Sequence, residues 1–231
     1  FSVAQPGTLD SSFGVNGKVV NENFAKIIWC TALQNDGKII VGGQSLSQTV
    51  KLARYKTDGS FDSTFGENGI VTTDLVPGYQ LYYSTAKDML VQPDGKIVIT
   101  GKGHKKDGIY GNDNIILIRY NSDGSLDESF GDNGVVVNDF GSDNEDPECI
   151  FQQPDGKIVI GGQSTNAFIA RYNTDGSLDN TFNGIGWARY NSGFINSIIM
   201  QADQQLIFGG RNTGSFPNKF MVIRVKPDGK K

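Results

Sequence analysis

The stretch RYNSDGSLDESFGDNG at 119–134 constrains the fold most, because imperfect copies of it recur through the chain and set the spacing of everything between them. Its second half reads TLDSSFGVNGKVV at 8–20, SFDSTFGENGIVT at 60–72, SLDESFGDNGVVV at 125–137 and SLDNTFNGIGWAR at 177–189, which aligns Phe13, Phe65, Phe130 and Phe182. A second phrase reads LQNDGKIIVGGQS at 33–45, VQPDGKIVITGKG at 91–103, QQPDGKIVIGGQS at 152–164 and MQADQQLIFGGRN at 200–212. A third reads VKLARYKTDGS at 50–60, IILIRYNSDGS at 115–125, AFIARYNTDGS at 167–177 and FMVIRVKPDGK at 220–230.

An Asp-Gly pair between alternating β-branched runs is a hairpin signal, since Gly accepts positive φ without a Cβ clash. Gln204 replaces that Gly in the fourth copy, which predicts a different or looser turn there. Each period carries four short strands and no helical periodicity, the pattern of a propeller blade. A stacked β-solenoid is the competing architecture, but its usual repeat is shorter. The fold class read from the sequence is therefore all-β: a β-propeller of four four-stranded antiparallel blades.

The phrases RYNxDGSLDxxFGxxG and VQPDGKIVIxG resemble the bacterial delta-60 repeats, a β-propeller domain of unknown function, over essentially the whole chain. That resemblance implies architecture and an exported protein (periplasmic, cell-surface or extracellular), not an established activity. The fourth copy departs from it at Asn183, Gln204 and Val225. KIVIGG followed by a strand ending in Tyr is also similar to a kelch blade, which implies that the strand before the hairpin is innermost. By that analogy the strand after FGxxG is outermost. Residues 1–231 then form a single propeller domain, with blades at about 24–75, 82–140, 147–192 and 194–231 plus 14–21. The N-terminal strand near 17–21 is expected to complete the fourth blade and close the ring, so that no strand edge is exposed. A monomer is favoured on this reading. Two chains sharing an eight-bladed ring would use the same complementary ends.

Composition narrows the function classes. The net charge of −4, with Lys and Arg scattered singly, offers no basic stripe for nucleic acid. No apolar run approaches the ~18 residues of a membrane span. Cys30 and Cys149 are too few for a disulfide scaffold and lack zinc spacing. Small packing positions near the inner strands are the expected role. No cofactor is implied.

Strand directions alternate, so the DG and DGSLD turns share one face of the propeller and the loops of variable length share the other. Binding residues concentrate on loops displayed by a rigid scaffold, which points to the variable face. Its longest loops, at 76–85, 101–114, 141–147 and 211–218, offer Tyr79, Tyr82, Tyr83, His104, Lys105, Tyr110, Asp113, Arg211 and Phe216 as ligand-binding candidates. Aromatics among hydrogen-bonding groups suit a carbohydrate or protein ligand; ordinary loop decoration explains the same residues.

Asp143, Glu145 and Asp146 form a weak calcium candidate. The NxDGSxD turns lack the bidentate Glu of a calcium loop and read better as Asx turns. His104 is the lone histidine, with no GxSxG or HExxH partner motif. Arg54, Arg119, Arg171 and Arg224 are expected to pair with nearby turn aspartates rather than to form an anion site. The sequence thus points to a non-catalytic binding module. A polysaccharide-acting hydrolase or lyase with acids at the channel mouth is the alternative, and a structural segment of a surface protein a further one.

Overall fold

The computed structural model describes residues 7–21, 24–25, 27–44, 49–73, 79–80, 86–105, 113–141, 144–190, 193–214, 217 and 219–230. Each blade is built by the same local rules. Hairpins such as Gln34–Lys38 close with the Gly37 amide donating to the Gln34 carbonyl at 2.9 Å and the Gln34 amide to the Lys38 carbonyl at 2.8 Å. Gly37 takes φ 82°, as Gly95 (85°) and Gly156 (86°) do in the matching turns. This is a tight turn followed by a left-handed residue, the type that Gly favours.

The first sheet orders β1 (Ile27–Leu33), β2 (Ile39–Gln44), β3 (Val50–Tyr55) and β4 (Ile70–Thr73) from inside outward. In the second, β6 (Ala86–Val91) is innermost against β7 (Ile97–Lys105), followed by β8 (Asp113–Tyr120) and β9 (Val135–Asn138). The short β5 (Tyr79–Gln80) pairs with the far end of β7. The third orders β10 (Asp146–Gln152), β11 (Ile158–Gln163), β12 (Ala167–Tyr172) and β13 (Trp187–Tyr190). The fourth has only β14 (Phe194–Met200), β15 (Leu206–Asn212) and β16 (Lys219–Val225). All pairings within these sheets are antiparallel, as a propeller requires. Among the described residues there is no helix, and hence none long and apolar enough to cross a membrane.

Two expectations need correction. Among the described residues no closed ring forms: strand packing runs from β1 to β6 to β10 to β14, and residues 18–21 do not pair with β16. The fourth turn is not looser: Gln204 adopts φ 65° and donates to the Gln201 carbonyl at 2.9 Å, the same geometry as the Gly turns. Flanking strands impose the turn, and Gln204 accepts the strained conformation.

The blades are joined by the recurring Phe-Gly turn. The Gly66 amide donates to the Asp123 carbonyl and the Gly131 amide to the Asp175 carbonyl, each at 2.8 Å, and the Asn183 amide to the Asp228 carbonyl at 2.7 Å. Beside each joint an arginine pairs with a turn aspartate: Arg54 Nε with Asp62 at 2.9 Å, Arg119 with Asp127 at 2.6 Å, Arg171 with Asp179 at 2.7 Å. The same guanidiniums reach the next blade through the Ser122, Thr174 and Pro227 carbonyls and cover Phe65, Phe130 and Phe182, which are fully buried. These arginines are structural, as the sequence indicated.

Candidate functional site

All four inner strands bulge at the same repeat position, between Ile28 and Cys30, Ala86 and Asp88, Pro147 and Cys149, and Ile195 and Ser197. A bulge leaves one residue unpaired and re-aims its side chain. Those residues are Trp29, Lys87, Glu148 and Asn196, one per blade, at the end of the inner strands that faces the variable loops. The backbone turns so sharply here that a Cβ on Gly162 would lie 2.2 Å from the Asp146 carbonyl oxygen, and one on Gly43 2.2 Å from that of Ile27. This explains the second glycine of the repeated Gly-Gly pair.

Three of the four bulge residues meet. Lys87 Nζ lies 3.2 Å from Asp146 and 3.1 Å from Glu148, and 5.6 Å from the centre of the Trp29 ring. Lys102 extends the cluster, 2.9 Å from Asp113 and 3.7 Å from Asp146. Burial opposes the charge on Lys102, but the Asp113 hydrogen bond and the Asp146, Asp113 and Glu148 charges outweigh it and hold its pKa above the ordinary value. The ladder Asp113, Lys102, Asp146, Lys87, Glu148 therefore crosses from β8 through β7 to the inner strands and ends beside an indole that is 46% exposed.

Behind it, Asp88 is locked between blades, accepting from the Met89 and Ile150 amides at 2.9 Å each. Burial raises its pKa despite those two bonds. Cys30 and Cys149 are free and buried, as expected of packing residues. Burial first, then the Asp88 charge, pushes the Cys30 thiol up to about 12, and the Cys149 thiol is raised by the same causes.

Of the residues singled out in the sequence, Asp113 belongs to this ladder. The backbones of Tyr79, His104 and Lys105 are brought together, Tyr79 opposite Lys105 and Gln80 opposite His104, because β5 and β7 continue as strands where separate loops were expected. Arg211 lies in β15 with its guanidinium 4.1 Å from the Phe194 ring centre. Tyr82, Tyr83, Tyr110, Phe216 and Asp143 lie outside the described residues. Glu145 is fully buried, accepts from the Phe140 amide at 3.0 Å and sits 3.7 Å from Arg189, while Asp146 points to the lysines. Among the described residues no group of three or more His, Cys, Asp and Glu could hold a metal ion.

Sequence reading missed Trp29, Lys87, Lys102 and Glu148. The signal was present: within otherwise similar inner strands, the residue before Cys30, Asp88, Cys149 and Ser197 changes character in every copy. On the opposite face a groove of about 760 Å³, lined by Thr64, Glu67, Asn68, Asp123 and Ser125 among others, follows the seam between the first two blades. It is formed by the repeated turns themselves.

Residues 34–65, 92–130 and 153–182 match a family model described as a domain of unknown function (DUF5122) beta-propeller. No curated protein matches the chain. Among solved structures, a protein of unknown function from Dyadobacter fermentans is similar with a TM-score of 0.57 at 10% identity; the match covers 86% of this chain but only 60% of that one. A GH43 endo-arabinanase from Bacillus licheniformis has a TM-score of 0.50 at 13% identity, over 89% of this chain and 73% of that one. The PQQ-bound aldose sugar dehydrogenase from Streptomyces coelicolor also scores 0.50, at 15% identity, over 90% and 63%. Likeness at such identity speaks to fold alone: the four antiparallel sheets, together with a family match that covers under half of the chain, are consistent with a β-propeller architecture.

Proposed function

We propose that the chain is an exported, non-catalytic carbohydrate-binding module whose site is the mouth formed by the inner-strand bulges. The observation that carries this reading is the half-exposed Trp29 indole beside Lys87 and the Asp146 and Glu148 carboxylates. An aromatic face packs against the C–H face of a sugar ring, and flanking charged groups supply directional partners for its hydroxyls. Hydrolysis of a glycosidic bond would need a carboxylic acid free to protonate the leaving oxygen. Here Asp146 and Glu148 are both engaged by Lys87, and both oxygens of Asp88 accept backbone amides. Binding without turnover fits that arrangement better.

The test is a glycan array followed by calorimetry on any hit. Trp29→Ala should weaken binding about tenfold or more, roughly 1.4 kcal/mol, and undiminished affinity would move the site elsewhere. Time-dependent cleavage of a polysaccharide, abolished by Glu148→Gln or Asp146→Asn, would replace this reading with a GH43-like hydrolase.

A further inference from the structure

The charges at the mouth stand in a fixed order, and that order bears on which sugars can enter. Asp113, Lys102, Asp146, Lys87 and Glu148 alternate in sign, so three carboxylates face two ammoniums and one negative charge is left over. All five belong to the second and third blades, in the interior of the arc. The Lys87 and Lys102 side chains are only 14% and 20% exposed. An ammonium has three donors and no acceptor. Lys87 directs its donors to Asp146 and Glu148, at 3.2 and 3.1 Å, while its Nζ covers one face of the Trp29 indole. Lys102 is held between Asp113 and Asp146. An incoming anion therefore gains neither lysine without displacing a carboxylate already in place.

The carboxylates are not used up in the same way. A carboxylate has about four acceptor positions, and Glu148 accepts from Lys87 on Oε1, with no hydrogen bond to Oε2 among the described residues. Its side chain is the most open of the three acids, 23% exposed against 13% for Asp113 and 15% for Asp146. Next along the rim comes Asn196, the bulge residue of β14, which is exposed and neutral. The ladder thus ends on an acceptor with spare capacity, and beyond it lies an uncharged amide.

We propose, resting on the carbohydrate reading above, that the mouth takes uncharged saccharides whose adjacent hydroxyls donate to Glu148, and turns away uronic acids and sulfated sugars. Two neighbouring hydroxyls of a sugar ring can donate together to one carboxylate, and such charge-assisted bonds are the stronger kind. A carboxylate or sulfate on the ligand meets Glu148 as a like charge instead, at a site partly withdrawn from water, where repulsion exceeds that in bulk solvent. Both lysines are already engaged and do not offset it. Rejection by a like charge separates two ligands of nearly the same shape, which attractive contacts alone do poorly. The net charge of −4 on the whole chain acts in the same direction at longer range.

The test is calorimetry on oligosaccharides of glucose, galactose, mannose, arabinose and xylose, each compared with the same chain bearing one uronic acid unit. At a salt concentration of about 50 mM the neutral form should bind at least about tenfold more tightly, and the gap should narrow at about 500 mM. Glu148→Gln keeps the shape, removes the charge and should close most of the gap. Glu67→Gln removes a charge from the opposite face, at the groove between the repeated turns, and should leave the gap as it is. Equal or tighter binding of the acidic form, still weakened by Trp29→Ala, overturns the inference and leaves the carbohydrate site standing; a gap that Glu148→Gln does not change does the same. Absence of binding by every one of these sugars, or binding that Trp29→Ala leaves undiminished, overturns the carbohydrate reading and the inference with it.

Discussion

Replacing Asp127 by Ala tests whether the arginine–aspartate pairs hold the blades. Asp127 is 6% exposed and accepts from Arg119 Nε at 2.6 Å, Lys96 Nζ at 2.8 Å, and the Ser129 hydroxyl and amide at 2.7 and 3.2 Å. Its removal strands the Arg119 guanidinium, itself 6% exposed, with neutral partners only: the Thr174 carbonyl and the Ser129 hydroxyl. An uncompensated buried charge costs about 3–5 kcal/mol. For a domain of this size that is a fall in Tm of about 6–20 °C. Asp123→Ala is the control: Asp123 makes the same Asx contacts, to the Ser125 amide and hydroxyl, but is exposed, so about 1 kcal/mol is expected. Adding Arg119→Met to Asp127→Ala should recover much of the loss, because an apolar side chain tolerates the site that a lone cation does not. Urea midpoints at constant m measure all four proteins. If Asp127→Ala costs no more than Asp123→Ala, or Arg119→Met recovers nothing, the joints are held by apolar packing and the pair is incidental.

The same aspartates set the acid limit. Burial by itself would raise Asp62, Asp127 and Asp179, but hydrogen bonds from the adjoining Thr or Ser and the facing Lys and Arg outweigh it and hold all three well below the usual carboxylate range. A lowered folded-state pKa gives stability that is complete above the unfolded value of about 4 and lost as pH falls further. Wild type should therefore lose stability steeply below about pH 4, and Asp127→Asn less steeply, as read from urea midpoints against pH. Gln204→Gly should stabilise the fold by about 0.5–1 kcal/mol, since φ 65° is strained for Gln and ordinary for Gly; a lower urea midpoint would show that the Gln side chain contributes more than the strain costs. Cys30 and Cys149, buried and with raised pKa, should react with a thiol reagent at pH 8 only after unfolding; two thiols titrating in the native protein would contradict the packing at the inner strands.

The sequence shows those features that a single residue type enforces locally. Asp-Gly forces a hairpin, Phe-Gly-x-Asn-Gly or its variant forces the joint, and an Arg eight residues before an Asp finds it across the turn; all three recur in the structure at the expected places. Asn183 shows how far a substitution can hide the same geometry: it takes φ 51° where Gly66 and Gly131 take 53° and 59°, and its side chain donates to the Trp187 carbonyl at 3.0 Å. What the sequence hides is non-local. A bulge has no composition of its own, so Trp29, Lys87 and Glu148 read as ordinary strand residues until the register places them at one mouth. The packing of one blade on the next is hidden for the same reason. Inner-strand side chains such as Met89 and Ile195 fill the space between blades; Met89 lies so close to Gly42, and Ile195 to Gly161, that a Cβ on either glycine would come within 2.6 and 2.7 Å. The small residue on one blade leaves room for the large one on the next, a match of volumes between distant positions that no local pattern in the sequence announces.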